Sequence, residues 1–158
     1  MGHHTTMQAD QGAAAGVAPP IGRAQAEAAR AVLSVVLIAV APQGAAEARA
    51  LSRAAAVCID SAVFDGLDAV ALRDLGRVVL RGLSARGPGP VMADVQGHLP
   101  QRLVETALCL AIRAARNEGA MPPGAMDRLG ALSMRLGVEV DRFAAMVEVL
   151  EILDRRPD

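Results

Sequence analysis

LVETALCLAIRAAR, residues 103–116, is the stretch whose reading decides the fold. Its apolar positions are Leu103, Val104, Ala107, Leu108, Leu110, Ala111, Ile112, Ala114 and Ala115. Its polar positions, with Arg102 just before it, are Glu105, Thr106, Arg113 and Arg116, and they recur at helical spacing. That pattern is a helix with one narrow wet stripe and an otherwise apolar surface, and such a helix is surrounded by other helices. Asn117-Glu118-Gly119 ends it as a turn.

Working outward, composition says what those neighbours are made of. The chain is 53% apolar but only 1% aromatic, with Phe64 and Phe143 and neither Tyr nor Trp. The core must be built from Ala, Val, Leu and Met. Ala has the highest helix propensity and lets helices approach closely. Val and Ile sit inside Ala/Leu-rich runs and not in alternating patterns, so the composition argues for helices over sheet. All sixteen basic residues are Arg. Without Lys there is no Schiff base and no P-loop lysine. A net charge of −1 argues against a nucleic-acid binder, whose phosphate contacts need a cationic surplus. Cys58 and Cys109 fall among apolar neighbours and read as free, buried thiols of a reducing cytoplasm. The N-terminus lacks a basic region followed directly by an apolar one, so no secretory signal is expected. The most apolar run, Val32 to Ala41, is half the roughly 20 residues a membrane span needs.

Residues 1–22 carry Gly2, Gly12, Gly16, Pro19 and Pro20 and no periodic apolar face, and read as a disordered tail that includes His3 and His4. Residues 23–156 read as a single all-α domain of six to seven helices with short connections. The expected helices are Arg23 to Ala41, Ala45 to about Val63, Leu67 to about Leu83, a short one over Val91 to Leu99, the 103–116 run, Ala125 to Leu136, and about Glu139 to Arg155. Gly87-Pro88-Gly89-Pro90 reads as a linker. The third helix is expected to bury Leu67, Ala71, Leu75, Val78, Val79 and Gly82. The last is expected to bury Phe143, Met146, Val147, Leu150 and Leu153.

Two turns look alike. Val63-Phe64-Asp65-Gly66 is followed by Ala71-Leu72-Arg73-Asp74-Leu75-Gly76. Arg116-Asn117-Glu118-Gly119 is followed by Ala125-Met126-Asp127-Arg128-Leu129-Gly130. If the repeat is real, the bundle holds two pseudo-repeated helical hairpins. An all-α chain with two helix–acidic-Gly–helix units resembles the tellurite-resistance TerB-like family. The likeness spans roughly Ala45 to Leu153, and the part from Leu99-Pro100 through Leu136-Gly137 to Phe143 is most similar. The resemblance implies a helical domain linked to tellurite and metal stress, with acidic turn residues associated with divalent cations. Asp65 and Glu118 match those turn positions, and Asp68 lies beside the first. Where the family has a Glu at the start of the following helix, this chain has Val70 or Ala71, and then Pro123 or Gly124. A hard cation wants about six to eight oxygens, so only weak cation binding is expected at Asp65, Asp68 and Glu118.

No catalytic constellation is legible. An EF-hand counted from Asp60 fails at Ala62 and Phe64. Asp65 and Asp68 suit the start of a helix, where free N–H groups and the dipole favour carboxylates. Glu105 is expected beside Arg102 on the wet stripe, and His98 as a solvated loop residue. Ser34, Ser52, Ser61 and Ser133 lie in helical runs without a nucleophile elbow. Met121, Met126, Met134 and Met146 read as core filling, or as an adaptable groove for a partner helix. The expected function is a non-catalytic, cytoplasmic domain that binds a protein partner or a second copy of itself. A divalent-cation sensor on the acidic turns and a ligand carrier or enzyme with a pocket between helices are the alternatives.

Overall fold

A computed structural model describes residues 21–41, 47–116 and 119–155. It holds seven α-helices and, among the described residues, no strand: α1 Arg23–Val40, α2 Glu47–Cys58, α3 Ala69–Arg86, α4 Pro88–His98, α5 Val104–Ala115, α6 Ala125–Arg135 and α7 Val140–Leu153. Short 3-10 turns at Ala62–Phe64 and Gln101–Leu103 precede α3 and α5. The all-α expectation holds. The expected tail, apart from Ile21 and Gly22, lies outside the described residues, as does Glu118.

The centre of the bundle is a pair of helices, not α5 alone. α1 packs against α5, α4, α3, α2 and α6, and ten of its residues are buried, from Ala28 to Ala39. Ala29, Ala107 and Ala111 are each fully buried. Small side chains at these positions let the two backbones come close, as a core without Trp or Tyr requires. α1 stops at Ala41 because a proline follows it in sequence, and a residue before proline is pushed out of the α region.

α2 ends at Cys58, five residues earlier than its sequence pattern implies. Ser61 is extended, and the chain turns through Ala62–Phe64 so that Phe64, 1% exposed, plugs the core beside α1. Burying one of the two aromatic rings outweighs another turn of helix here. Gln25 on α1 fastens this turn by donating from Nε2 to the Asp65 carbonyl at 2.8 Å.

α3 is rotated from its expected face. It buries Leu72, Gly76, Val79 and Leu80, while Val78 is exposed. The reason is close packing: a Cβ on Gly76 would overlap Leu51 Cδ1, so a glycine at this position lets α3 settle on α2. Residues 88–90 are not a linker. One residue, Gly87, separates α3 from α4, and Pro88 opens α4. Both prolines fall in the first turn, where their missing N–H groups would have had no helical partner.

The last two helices join through a Schellman turn. Val138 N–H donates to the Ser133 carbonyl at 2.9 Å and Gly137 N–H to the Met134 carbonyl at 3.0 Å. Gly137 has φ +76°, the left-handed conformation that this cap needs and that L side chains resist. α7 then packs on α5 and α6. It buries Phe143, Met146 and Leu150. Leu153, expected in this stripe, is 71% exposed.

The two repeated turns share one backbone feature: Gly66 has φ +87° and Gly119 φ +88°. They differ downstream, since α3 starts three residues after Gly66 and α6 six residues after Gly119.

Candidate functional site

Three places on the molecule gather chemistry-bearing side chains. The first is the acidic turn before α3. Asp68 is the N-cap of α3, and its Oδ1 accepts the Ala71 N–H at 2.7 Å. This satisfies a helix-end donor that would otherwise have no partner. The Asp65 carboxylate is exposed beside it. Glu118 lies outside the described residues, and among those described no group of three or more His, Cys, Asp or Glu side chains converges as metal ligands would.

The second is the seam between α5 and α7. Glu105 leaves Arg102 and takes Arg142 instead, accepting from Nε at 2.8 Å and from Nη2 at 2.7 Å. The fork geometry of this pair holds the Glu105 carboxyl below its usual range and lifts Arg142 above its own. Cys109 is half-buried on the same stripe, not fully buried as its neighbours in sequence implied. Desolvation first, and Glu105 second, raise its thiol. At the other end of α5, the Arg116 side chain is 8% exposed. It donates to Asp154 Oδ2 at 3.1 Å and to the Val147 carbonyl at 3.3 Å, clamping α7. Sequence reasoning placed Arg116 on the wet stripe and missed this role, because its partners belong to another helix.

The third is a cavity of about 300 Å³ between α1, α3 and α4. Its walls are Ala31, Val79, Val91 and Val95, with Gly82 leaving room on α3. Its rim carries five ionisable side chains: Glu27, Arg30, Arg86, Asp94 and His98. Arg86 Nη2 meets Asp94 Oδ2 at 2.7 Å. Arg23 Nε meets Glu27 Oε1 at 2.9 Å. The Asp94 carboxyl is held below its usual range, first by the Arg86 hydrogen bond, with His98 and Arg30 adding smaller attractions. His98 is the exposed last residue of α4, not a loop residue. Its Nδ1 lies 2.8 Å from the Asp94 carbonyl. A carbonyl only accepts, so Nδ1 carries the hydrogen, and in the neutral ring Nε2 is left as an acceptor. Reading residues 87–90 as a linker concealed this site, since only the tight turn at Gly87 folds Asp94 back onto Arg86.

Two of the helical serines bond within their own helices: Ser34 donates to the Arg30 carbonyl and Ser133 to the Gly130 carbonyl, both at 2.8 Å. Met146 is core. Met126 and Met134 are exposed on α6. Among the described residues no helix is long and apolar enough to cross a membrane.

One further surface is apolar without being covered. On α7, Ala145, Val149 and Ile152 are exposed at i, i+4 and i+7, on a stripe about a third of a turn round from the buried Phe143, Met146 and Leu150. In heptad terms they are d, a and d positions, and Asp141 and Glu148 are the g positions beside them, while Arg155 follows just past the helix end. Comparison of the chain with family models, with curated proteins and with solved structures finds no match.

Proposed function

We propose that this chain is a non-catalytic helical interaction domain that self-associates through the outer face of α7. The observation that carries the reading is the second apolar stripe on that helix: Val149 is 53% exposed, Ile152 52% and the flanking Leu153 71%. A helix apolar on two faces is stable in water when both faces are covered. The bundle covers one.

A second copy fits the other. In an antiparallel pair, each helix's g row faces the partner's g row. That brings Asp141 of one copy to the end of the other's α7, where Arg155 follows the last helical turn, twice, around the Ala145–Val149–Ile152 seam. A parallel pair would lack these contacts. One helix pair buries less than about 1,200 Å², so the dimer is weak and concentration-dependent. Free Cys58 and Cys109 favour a reducing compartment such as the cytoplasm. Likeness to TerB-like stress domains, including a weak cation at the acidic turns, remains part of this proposal.

Sedimentation velocity over a wide concentration range tests it. Wild type is expected to shift from monomer to dimer. Val149→Glu with Ile152→Glu should stay monomeric with an unchanged helical signal. Asp141→Arg should weaken association, and Asp141→Arg with Arg155→Asp should restore it. A wild-type monomer at every concentration, or a dimer indifferent to these substitutions, overturns the reading.

A further inference from the structure

The α1–α3–α4 cavity is a separate surface from the α7 stripe, and charge bookkeeping at its rim is uneven. Arg86 is spent on Asp94, and Glu27 is spent on Arg23. Arg30 forms no ion pair within 4 Å among the described residues, and His98 Nε2 is likewise unspent. The group at the mouth with a hydrogen to give an anion is thus the permanent cation Arg30, since His98 Nε2 is an acceptor. Below them the walls are apolar and hold nothing charged: Ala31, Val79, Gly82, Val91 and Val95. Ser34 Oγ gives its hydrogen to the Arg30 carbonyl and keeps lone pairs for a donor. About 300 Å³ is the small end of ligand-sized cavities.

We propose that this cavity binds a small aliphatic monocarboxylate, its carboxylate held by Arg30 at the rim and its tail laid against Ala31, Val79, Val91 and Val95. One guanidinium without a close ion-pair partner suits one negative charge and offers the planar fork that a carboxylate accepts. A phosphate dianion would face Asp94 and Glu27 with too few free cations. The tail fixes the orientation, since the carboxylate cannot give up its partners to enter an apolar interior.

The site can be closed from inside. A Cβ on Gly82 would meet nothing nearer than Arg86 Nη2 at 3.9 Å and Val91 Cγ2 at 4.0 Å, which is ordinary contact. Gly82→Ala therefore fits, and Gly82→Leu extends a side chain into the cavity. Arg30 is exposed, so Arg30→Gln removes the charge without opening the core.

Titration of the full chain with sodium hexanoate, followed by amide chemical shifts, tests the proposal. Shifts are expected along α1, α3 and α4, with affinity rising about fourfold per methylene from butyrate to hexanoate. Arg30→Gln should weaken binding about tenfold or more, and Gly82→Leu should abolish it while Gly82→Ala retains it. Absence of shifts up to about 10 mM hexanoate, shifts confined to α7, or binding indifferent to both Arg30→Gln and Gly82→Leu overturns it. Inorganic phosphate that binds as tightly as hexanoate overturns the assigned ligand class.

Discussion

α5 and α7 are about equally apolar on average, yet eight of the twelve residues of α5 are buried against three of the fourteen of α7. The difference is in their neighbours. α5 is enclosed by α1, α2, α6 and α7, whereas α7 lies at the margin and touches α5 and α6. Apolar content draws a helix towards a core, but the number of sides on which others arrive decides how much of it is covered. The uncovered remainder on α7 falls in a heptad seam, so it is read as a surface made for another helix.

The strongest way to break this comparison is to truncate one residue on each helix. Leu108 on α5 is fully buried, and Leu108→Ala should cost about 2–5 kcal/mol in urea unfolding. Val149→Ala on α7 should stay within about 0.5 kcal/mol at concentrations where the chain is monomeric. Equal costs would mean that α7 is as enclosed as α5.

Arg116→Ala removes the clamp between the two helices. Its buried guanidinium loses hydrogen bonds to Asp154 and Val147, and about 1–2 kcal/mol is expected because Asp154 can return to water. Hydrogen exchange should show the gain in opening confined to the C-terminal half of α7. A uniform loss of protection would contradict the clamp.

The two thiols sharpen the contrast between core and stripe. Burial pushes Cys58 up to about 12 from an ordinary value of 9.0. Between those values the folded chain keeps a proton that the unfolded chain loses. The Cys58 contribution to stability is therefore complete below pH 9 and is lost as pH rises towards 12, by up to about 1.4 kcal/mol per pH unit. Urea melts should show that slope and Cys58→Ala should flatten it. At neutral pH, Cys109 should react with a thiol reagent first, and Cys58 only on unfolding.

The smallest effect expected concerns Glu148, which meets its own copy across the proposed α7 dimer axis. Glu148→Gln should leave unfolding unchanged and strengthen association about severalfold by removing a like-charge contact. Weaker association would place the axis elsewhere along α7.

Much of this was legible residue by residue. Helical periodicity marked every helix except the start of α4, and the wet stripe of α5 falls on Glu105, Thr106 and Arg113 as the spacing implies. Faces were less legible than elements. Val78 and Leu153 fit an apolar stripe as well as Leu72 does, and only the approach of Leu51 to Gly76 selects which side of α3 turns inward. The site was least legible of all. Asp94 and His98 are i and i+4 on one helix, but Arg30 is far off in sequence and Arg86 lies across a glycine-proline run, and no spacing rule joins these two to that pair.

Local chemistry thus determined that this chain is helical. A core poor in aromatics, rich in Ala and Leu and punctuated by Gly and Pro has no other economical way to satisfy its backbone. Tertiary packing decided the rest: that α1 shares the centre with α5, that Phe64 ends α2 early, and that α4 folds back to close a cavity. Each of those outcomes depends on which surfaces meet across long stretches of chain, and pairwise fit between distant side chains is not written in the period of any one helix.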